Sequence, residues 1–149
     1  MIFLIEIAME TIVHSFEVKS PAENVYKAIS TLQGLSGWWT KDTSGDPSKG
    51  GEIRFGFGMY YNIMQVKESL ENKFVQWEVK SSNFPSGNQW IGTIISFALE
   101  EKENNITSVL FEHSNWKEIT EFYGVCDFHW GVSMVSLKLL CVTGAGVPD

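Results

Sequence analysis

The sequence predicts an α+β fold: a curved antiparallel six-stranded sheet wrapped around a long C-terminal helix, with one or two short helices between strands 1 and 2. Three observations predict it. Strand-like runs follow one another with only short turn-rich stretches between them, and parallel pairing would need a crossover of a dozen or more residues. The run from residue 120 to about 142 is apolar, and it is too long and too little interrupted for a strand. That run is also the only element able to cover the one face a twisted sheet must bury.

Each element has its own signal. From Thr11 to Val18 the pattern alternates, with Ile12, His14, Phe16 and Val18 on one face and Thr11, Ser15 and Glu17 on the other. This is a half-buried strand. Ser20-Pro21 then opens a helix: Ser20 is placed to N-cap it, Pro21 suits the first helical position, and Glu23 completes a capping-box pattern. Val25, Ala28, Ile29 and Leu32 form its apolar stripe. Gly34 and Gly37 end it, and Leu35, Trp38 and Trp39 follow as a short apolar turn. Residues 41–51 make the longest polar connection. Strand-like runs cover residues 52–58, 60–68, 73–80 and 90–100, and a fifth, 106–113, follows the charged turn at 101–105. In the last helix Phe122, Val125, His129, Val132, Ser136 and Leu139 share one face. Cys126, Trp130, Met134 (or Ser133), Leu137 and Cys141 share a neighbouring one, so the apolar arc is wide. Glu121, Asp127 and Lys138 mark its wet side. Gly144, Gly146 and Pro148 stop it.

Composition narrows the function. The chain has 149 residues, the size of one domain, and 44% of them are hydrophobic. Eleven basic residues against 18 acidic ones give a net charge of −7, and Arg54 is the single arginine. No basic stripe exists to neutralise nucleic-acid phosphates or to meet an anionic membrane surface. Aromatic residues are abundant: six Trp, ten Phe and four Tyr. So much ring area on a small domain points to a thick core, a lined cavity, or both.

Cys126 and Cys141 lie fifteen residues apart in one helix, about 22 Å along its axis, too far to bridge within it. Free thiols predict a reducing, cytoplasmic location. Residues 1–8, MIFLIEIA, are apolar, but Glu6 interrupts them, no positive region precedes them, and they fall far short of a ~20-residue membrane span. Met9 opens a natural start to the domain. Residues 1–8 are therefore expected to be an N-terminal extension or a start-site artefact ahead of a single domain at 9–149.

Several segments together carry a resemblance: SPAENVYKAIS, GLSGWWT, GDPSKGGEIRFGFG, FVQWEV, VLFEHSNW and DFHWGVSMVSLKLLCVTGAG. With them the chain resembles the SRPBCC, or START-like, helix-grip superfamily, and within it the group named after the activator of heat-shock-protein-ninety ATPase. They span about residues 11–146. The resemblance implies a helix-grip fold. For function it implies several things, because relatives include carriers of lipids and other hydrophobic ligands, polyketide cyclases and chaperone activators. The separate N-terminal domain of the eukaryotic chaperone activators is not in this sequence, which weighs against the chaperone reading. Asn115 stands where relatives often have Gly, which predicts a different turn after that strand.

Strand phase supplies the candidate lining of a cavity between sheet and helix. The ligand-binding candidates are Trp38, Trp39, Phe55, Phe57, Tyr60, Met64, Trp77, Phe97, Phe111, His129, Val132 and Ser136. Trp38-Trp39 reads either as a gate at the cavity mouth or as a plug sealing one end of the core. His14, His113 and His129 all take inward phases, and His14 and His113 fall on strands expected to be neighbours. Three histidines can hold zinc, but no HxH or HExxH spacing supports it. Asp42, Ser44 and Asp46 mimic the start of a calcium loop, but Pro47 replaces its glycine and Ile53 its final glutamate. GEIRFGFG opens a strand rather than a phosphate-binding helix, and no GxSxG marks a serine nucleophile. No metal, cofactor or catalytic residue is assigned. The reading is non-catalytic binding of a small hydrophobic molecule, lipid-like or aromatic. The alternatives are an interaction module for a chaperone or stress partner, and an enzyme of the aromatase/cyclase kind. Nucleic-acid binding and membrane insertion are not expected.

Overall fold

The computed structural model describes residues 9–149; the expectation for residues 1–8 lies outside the described residues. The elements run β1 (Glu10–Val18), α1 (Ala22–Ser30), α2 (Leu32–Trp38), β2 (Asp42–Gly45), β3 (Glu52–Phe57), β4 (Tyr60–Leu70), β5 (Phe74–Ser82), β6 (Ile94–Lys102), β7 (Ile106–Trp116) and α3 (Glu121–Thr143). Seven strands form one curved antiparallel sheet in the order β1-β7-β6-β5-β4-β3-β2, and α3 packs across it. The first and last long strands are therefore neighbours, which the helix-grip resemblance implies.

The seventh strand corrects the expected count of six. It comes from the polar connection, where Asp42–Gly45 pairs with β3 as an edge strand. Its residues are polar on both faces, so alternation could not mark it. Gly45 has φ +115, and a Cβ there would lie 2.2 Å from the Glu52 carbonyl oxygen, so the close pairing requires glycine.

Between β1 and β2 lie two short helices, within the one or two expected, and the run read as an apolar turn is part of the second. Thr31 ends α1 in an extended conformation and caps α2 by accepting from the Gly34 amide at 3.0 Å. Gly34 and Gly37 sit inside α2 rather than ending a helix. The α1–α2 packing needs Gly34, since a Cβ would come within 2.4 Å of the Lys27 carbonyl oxygen. The expected Ser20–Glu23 capping box does not form. Pro21 occupies the cap position, and the Ala22 amide donates to Glu101 Oε1 at 2.9 Å. A carboxylate from β6 thus serves the helix start that a local one was expected to serve.

The inward strand phases hold. Ile53, Phe55, Met64, Val66, Val75, Trp77, Val79, Ile95, Phe97, Leu99, Val109 and Phe111 are all buried. The run expected at 90–100 begins as a turn, with the strand starting only at Ile94. Asn115 has φ +67 inside β7, so the backbone keeps a conformation that glycine adopts most easily. On α3 the inward face is Cys126, Trp130, Met134, Ser136 and Leu137. Val125, His129, Val132 and Leu139, expected on an inward arc, are exposed. The helix is apolar nearly all round, so periodicity could not say which stripe faces the sheet.

After α3 the chain turns back. Gly144 adopts φ +86 at the helix end. Ser136 Oγ then donates to the Trp38 carbonyl and accepts from the Val147 amide, both at 2.7 Å. The Asp149 amide donates to the Trp39 carbonyl and the Lys41 amide to that of Asp149. The tail is therefore stitched to the end of α2 through one buried hydroxyl. Ser136→Ala is expected to destabilise the protein by about 1–3 kcal/mol in urea denaturation, because a buried carbonyl and a partly buried amide lose their partner. Proteolysis within residues 144–149 should accelerate in parallel. An unchanged midpoint would contradict the role.

Candidate functional site

A cavity of about 350 Å³ opens between the sheet and the N-terminal half of α3. Three walls enclose it. The sheet contributes Phe57, Asn62 and Ser82 from β3, β4 and β5. The helix contributes Phe122, Val125, Cys126, His129, Trp130 and Ser133. Trp39, at the end of α2, and Phe84 and Trp90, from the β5–β6 connection, form the third, and Asp149 of the tail joins them.

Register explains the sheet wall. Asn62 pairs with Ser82, while Met64 pairs with Val79, so β5 carries one extra residue there. This bulge moves Ser82, rather than Ser81, to the inward face. Asn62 keeps the inward phase of Met64 and Val66. It is 3% exposed, yet its Oδ1 has no hydrogen-bond partner among the described residues.

The back of the cavity is a layer of indole rings. Trp39 lies 4.9 Å from Trp130 between ring centroids and 4.4 Å from Phe55, and Trp130 lies 5.9 Å from Trp90 in a stacked arrangement. Behind them sits His113, fully buried in β7. Trp130 Nε1 donates to His113 Nδ1 at 3.0 Å, so the ring proton is on Nε2. Nε2 donates to Thr93 Oγ1 at 2.7 Å, and that hydroxyl donates to the Trp90 carbonyl at 2.5 Å. Burial pushes the His113 imidazole down to about 3, so the ring is neutral at ordinary pH.

The other titratable groups follow the same logic. Cys126 Sγ accepts from Trp90 Nε1 at 3.2 Å, and burial pushes its thiol up to about 11. Such a thiol is a packing atom and a poor nucleophile. Cys141 is likewise raised to about 11 by burial. Both cysteines are free thiols. His129 is exposed at the cavity edge, and none of the described hydrogen bonds or ion pairs involves it. His14 meets Asp127 of α3 at 2.9 Å where β1 packs against the helix, away from the cavity. The three histidines therefore take separate places: His14 pairs in register with Phe111, and Ile12 with His113. Among the described residues no group of three or more His, Cys, Asp or Glu could hold a metal ion. Asp42 pairs instead with Arg54 at 3.1 Å, and Ser48 holds the exposed Asp46 carboxyl below the usual range by hydrogen bonds.

Of the twelve candidate ligand-binding residues, Trp39, Phe57 and His129 line the cavity. Trp38, Phe55, Met64, Trp77, Phe97 and Phe111 are buried in the solid part of the core. Trp38 is buried and donates its indole N–H to the Ala28 carbonyl at 2.8 Å, while its neighbour Trp39 lines the cavity. Tyr60 packs on Phe84 at 5.1 Å, beside the cavity. Val132 is exposed on α3 beside His14 of β1, outside the cavity, and Ser136 holds the tail. Phe84 escaped the phase argument because it lies outside strands, and Trp90 because the expected 90–100 strand gave it the phase opposite to Ile95 and Phe97, whereas it precedes the strand. Asn62 could have been found, since YYNIMQV places it two residues before Met64.

Residues 19–141 match the family described as activator of Hsp90 ATPase homolog 1-like protein. Among solved structures, the Aha1 dimer from Colwellia psychrerythraea is 39% identical, with 92% of this chain and 99% of that chain covered and a TM-score of 0.81. Protein MLL2253 from Mesorhizobium loti shares the fold at 15% identity, covering 88% and 96% of the two chains, with a TM-score of 0.74. CalU16 from Micromonospora echinospora shares it at 13% identity, covering 87% and 73%, with a TM-score of 0.69. None of the curated proteins matches the chain.

His113 gives a pH dependence of known sign. Between about pH 6.5 and about 3 the unfolded chain protonates this ring while the folded chain keeps it neutral. Its contribution is complete above pH 6.5 and is lost as pH falls through that window, at up to about 1.4 kcal/mol per pH unit. Urea midpoints at pH 7, 5.5 and 4.5 should therefore fall more steeply for the wild type than for His113→Gln. Parallel slopes would contradict it.

Proposed function

The chain belongs to the activator of Hsp90 ATPase homolog 1-like family, and on that premise we propose that it binds a small hydrophobic molecule between the sheet and α3 without transforming it. The observation that carries the reading is the 350 Å³ cavity lined mostly by aromatic and aliphatic side chains. Small-molecule sites run from about 300 to 1,000 Å³ and combine such walls with a few polar groups. Burying roughly 200 Å² of ligand surface contributes about 5 kcal/mol before the cost of association. The free thiols fit a reducing cytoplasmic compartment. The cyclase alternative is weaker, since His129 has no described partner to orient it. N-phenyl-1-naphthylamine should brighten on binding the wild type, and Ser133→Phe, which fills the cavity from the helix side, should weaken that binding at least tenfold. Val132→Ser, exposed and outside the cavity lining, should not. Undiminished binding by Ser133→Phe would move the site elsewhere. Native mass spectrometry of protein purified without detergent should also reveal a carried molecule.

A second reading has its own observation. Val125, Phe128, Val132, Val135, Leu139 and Val142 are exposed on α3 at alternating spacings of three and four, and Phe128 is 70% exposed. That spacing is the seam of a coiled coil. The same helix has a mean hydropathy of 1.4 over its most apolar stretch, with only 28% of that stretch buried. The six side chains, each 38–70% exposed, make a contiguous apolar face of the kind that marks an interaction surface. The 39%-identical Colwellia protein is described as a dimer. We propose that a second copy of this chain covers the row, helix against helix. Light scattering should give a dimer that Phe128→Asp converts to monomer with the fold retained. A wild-type monomer at every concentration overturns the reading, whether or not a chaperone occupies the face instead.

A further inference from the structure

Two buried side-chain polar atoms have no partner among the described residues, Asn62 Oδ1 and Trp116 Nε1. They differ in place. Trp116 lies among rings, 4.8 Å from His113 and 5.1 Å from Tyr123, and does not line the cavity. Asn62 does line it, on the sheet wall opposite α3. An amide oxygen withdrawn from water and left unpaired weakens the fold unless something completes it. The neighbouring strand residues would ordinarily be apolar at this phase, as Met64 and Val66 are.

The lining also limits what can complete it. It includes no Lys or Arg, so an anionic headgroup would enter without a counter-charge. The carboxylate of the lining, Asp149, is on an exposed residue, while Asn62 is 3% exposed. The buried polar partner is thus a neutral amide. A hydroxyl suits it in either orientation of the amide, because it can donate to the oxygen or accept from the nitrogen. Trp39, Phe57 and Trp130 offer ring faces and edges to the remainder.

We propose that Asn62 is the polar anchor of the cavity and that the ligand class is an uncharged, largely apolar ring compound bearing a hydroxyl group, the hydroxyl bonded to Asn62 and the rings held by Trp39, Phe57 and Trp130. This rests on the hydrophobic-ligand reading and gives it a chemical class.

A matched pair of probes tests it: 2-naphthol and 2-methylnaphthalene, equal in shape and different only at the hydroxyl. Each is titrated against bound N-phenyl-1-naphthylamine. The wild type should prefer 2-naphthol by about tenfold or more, the worth of one well-made buried hydrogen bond. Asn62→Leu, of similar volume, should abolish or reverse that preference while still binding the dye. Should that variant not fold, the wild-type preference is read together with the Asn62 side-chain carbonyl carbon resonance, which should move downfield with 2-naphthol and not with 2-methylnaphthalene. Equal displacement by both probes, or a preference that survives Asn62→Leu, overturns the anchor and leaves the pocket standing. Failure of the dye to bind at all overturns both.

Discussion

One buried contact sets the distance between the two layers: the hydrogen bond from the Trp130 indole of α3 to His113 of β7. A helix laid on a sheet by aliphatic side chains can slide and settle. Here the helix carries a rigid ring whose one polar atom must reach a fixed acceptor. The acceptor is itself held by Thr93, which is held by the Trp90 carbonyl. Burial keeps the imidazole neutral, and neutrality is what lets Nδ1 accept. The network is complete at each step, so it specifies one geometry at small cost.

That geometry produces a cavity rather than a closed core. At the other end of the helix, Leu137 and Trp38 close the space, and the tail is pinned over it through Ser136. Toward the N-terminal half of α3, the layers are spaced by indoles that stack on one another. Stacked rings do not flex to fill a gap as methionine would. The bulge on β5 bends the sheet at the same place and turns Ser82 inward beside Asn62, which keeps the inward phase of Met64. Void and polar lining therefore meet at one place, where the indoles of Trp39, Trp130 and Trp90 space the layers and the bulge re-aims β5.

The fold was legible because its signals are periodic. Ile53, Phe55, Met64, Trp77 and Phe97 announce an inward sheet face through alternation alone, and their burial follows. The cavity was less legible because its residues break those patterns. Phe84 and Trp90 lie in a connection, Ser82 faces inward only through a bulge, and Trp39 follows the end of a helix whose start needed Thr31 as cap. On α3 the reading placed Val132 and Ser136 in the cavity. A helix apolar all round has no single stripe, and the sheet's position decided which one is buried. The edge strand β2 was missed for a related reason: it has no apolar residue at all, and only pairing with β3 defines it.

The chemistry of the buried groups favours holding a molecule over changing it. General acid–base work near neutral pH needs a group whose affinity for a proton lies near that pH. Burial moves the candidates away from it in opposite directions, His113 down to about 3 and Cys126 up to about 11. Each shift follows from the same withdrawal of water. His129 remains wet, but it stands at the edge with no carboxylate to fix its tautomer. A dry interior with no charge paired among the described residues supports the proposed role, in which shape and one hydrogen bond do the discriminating.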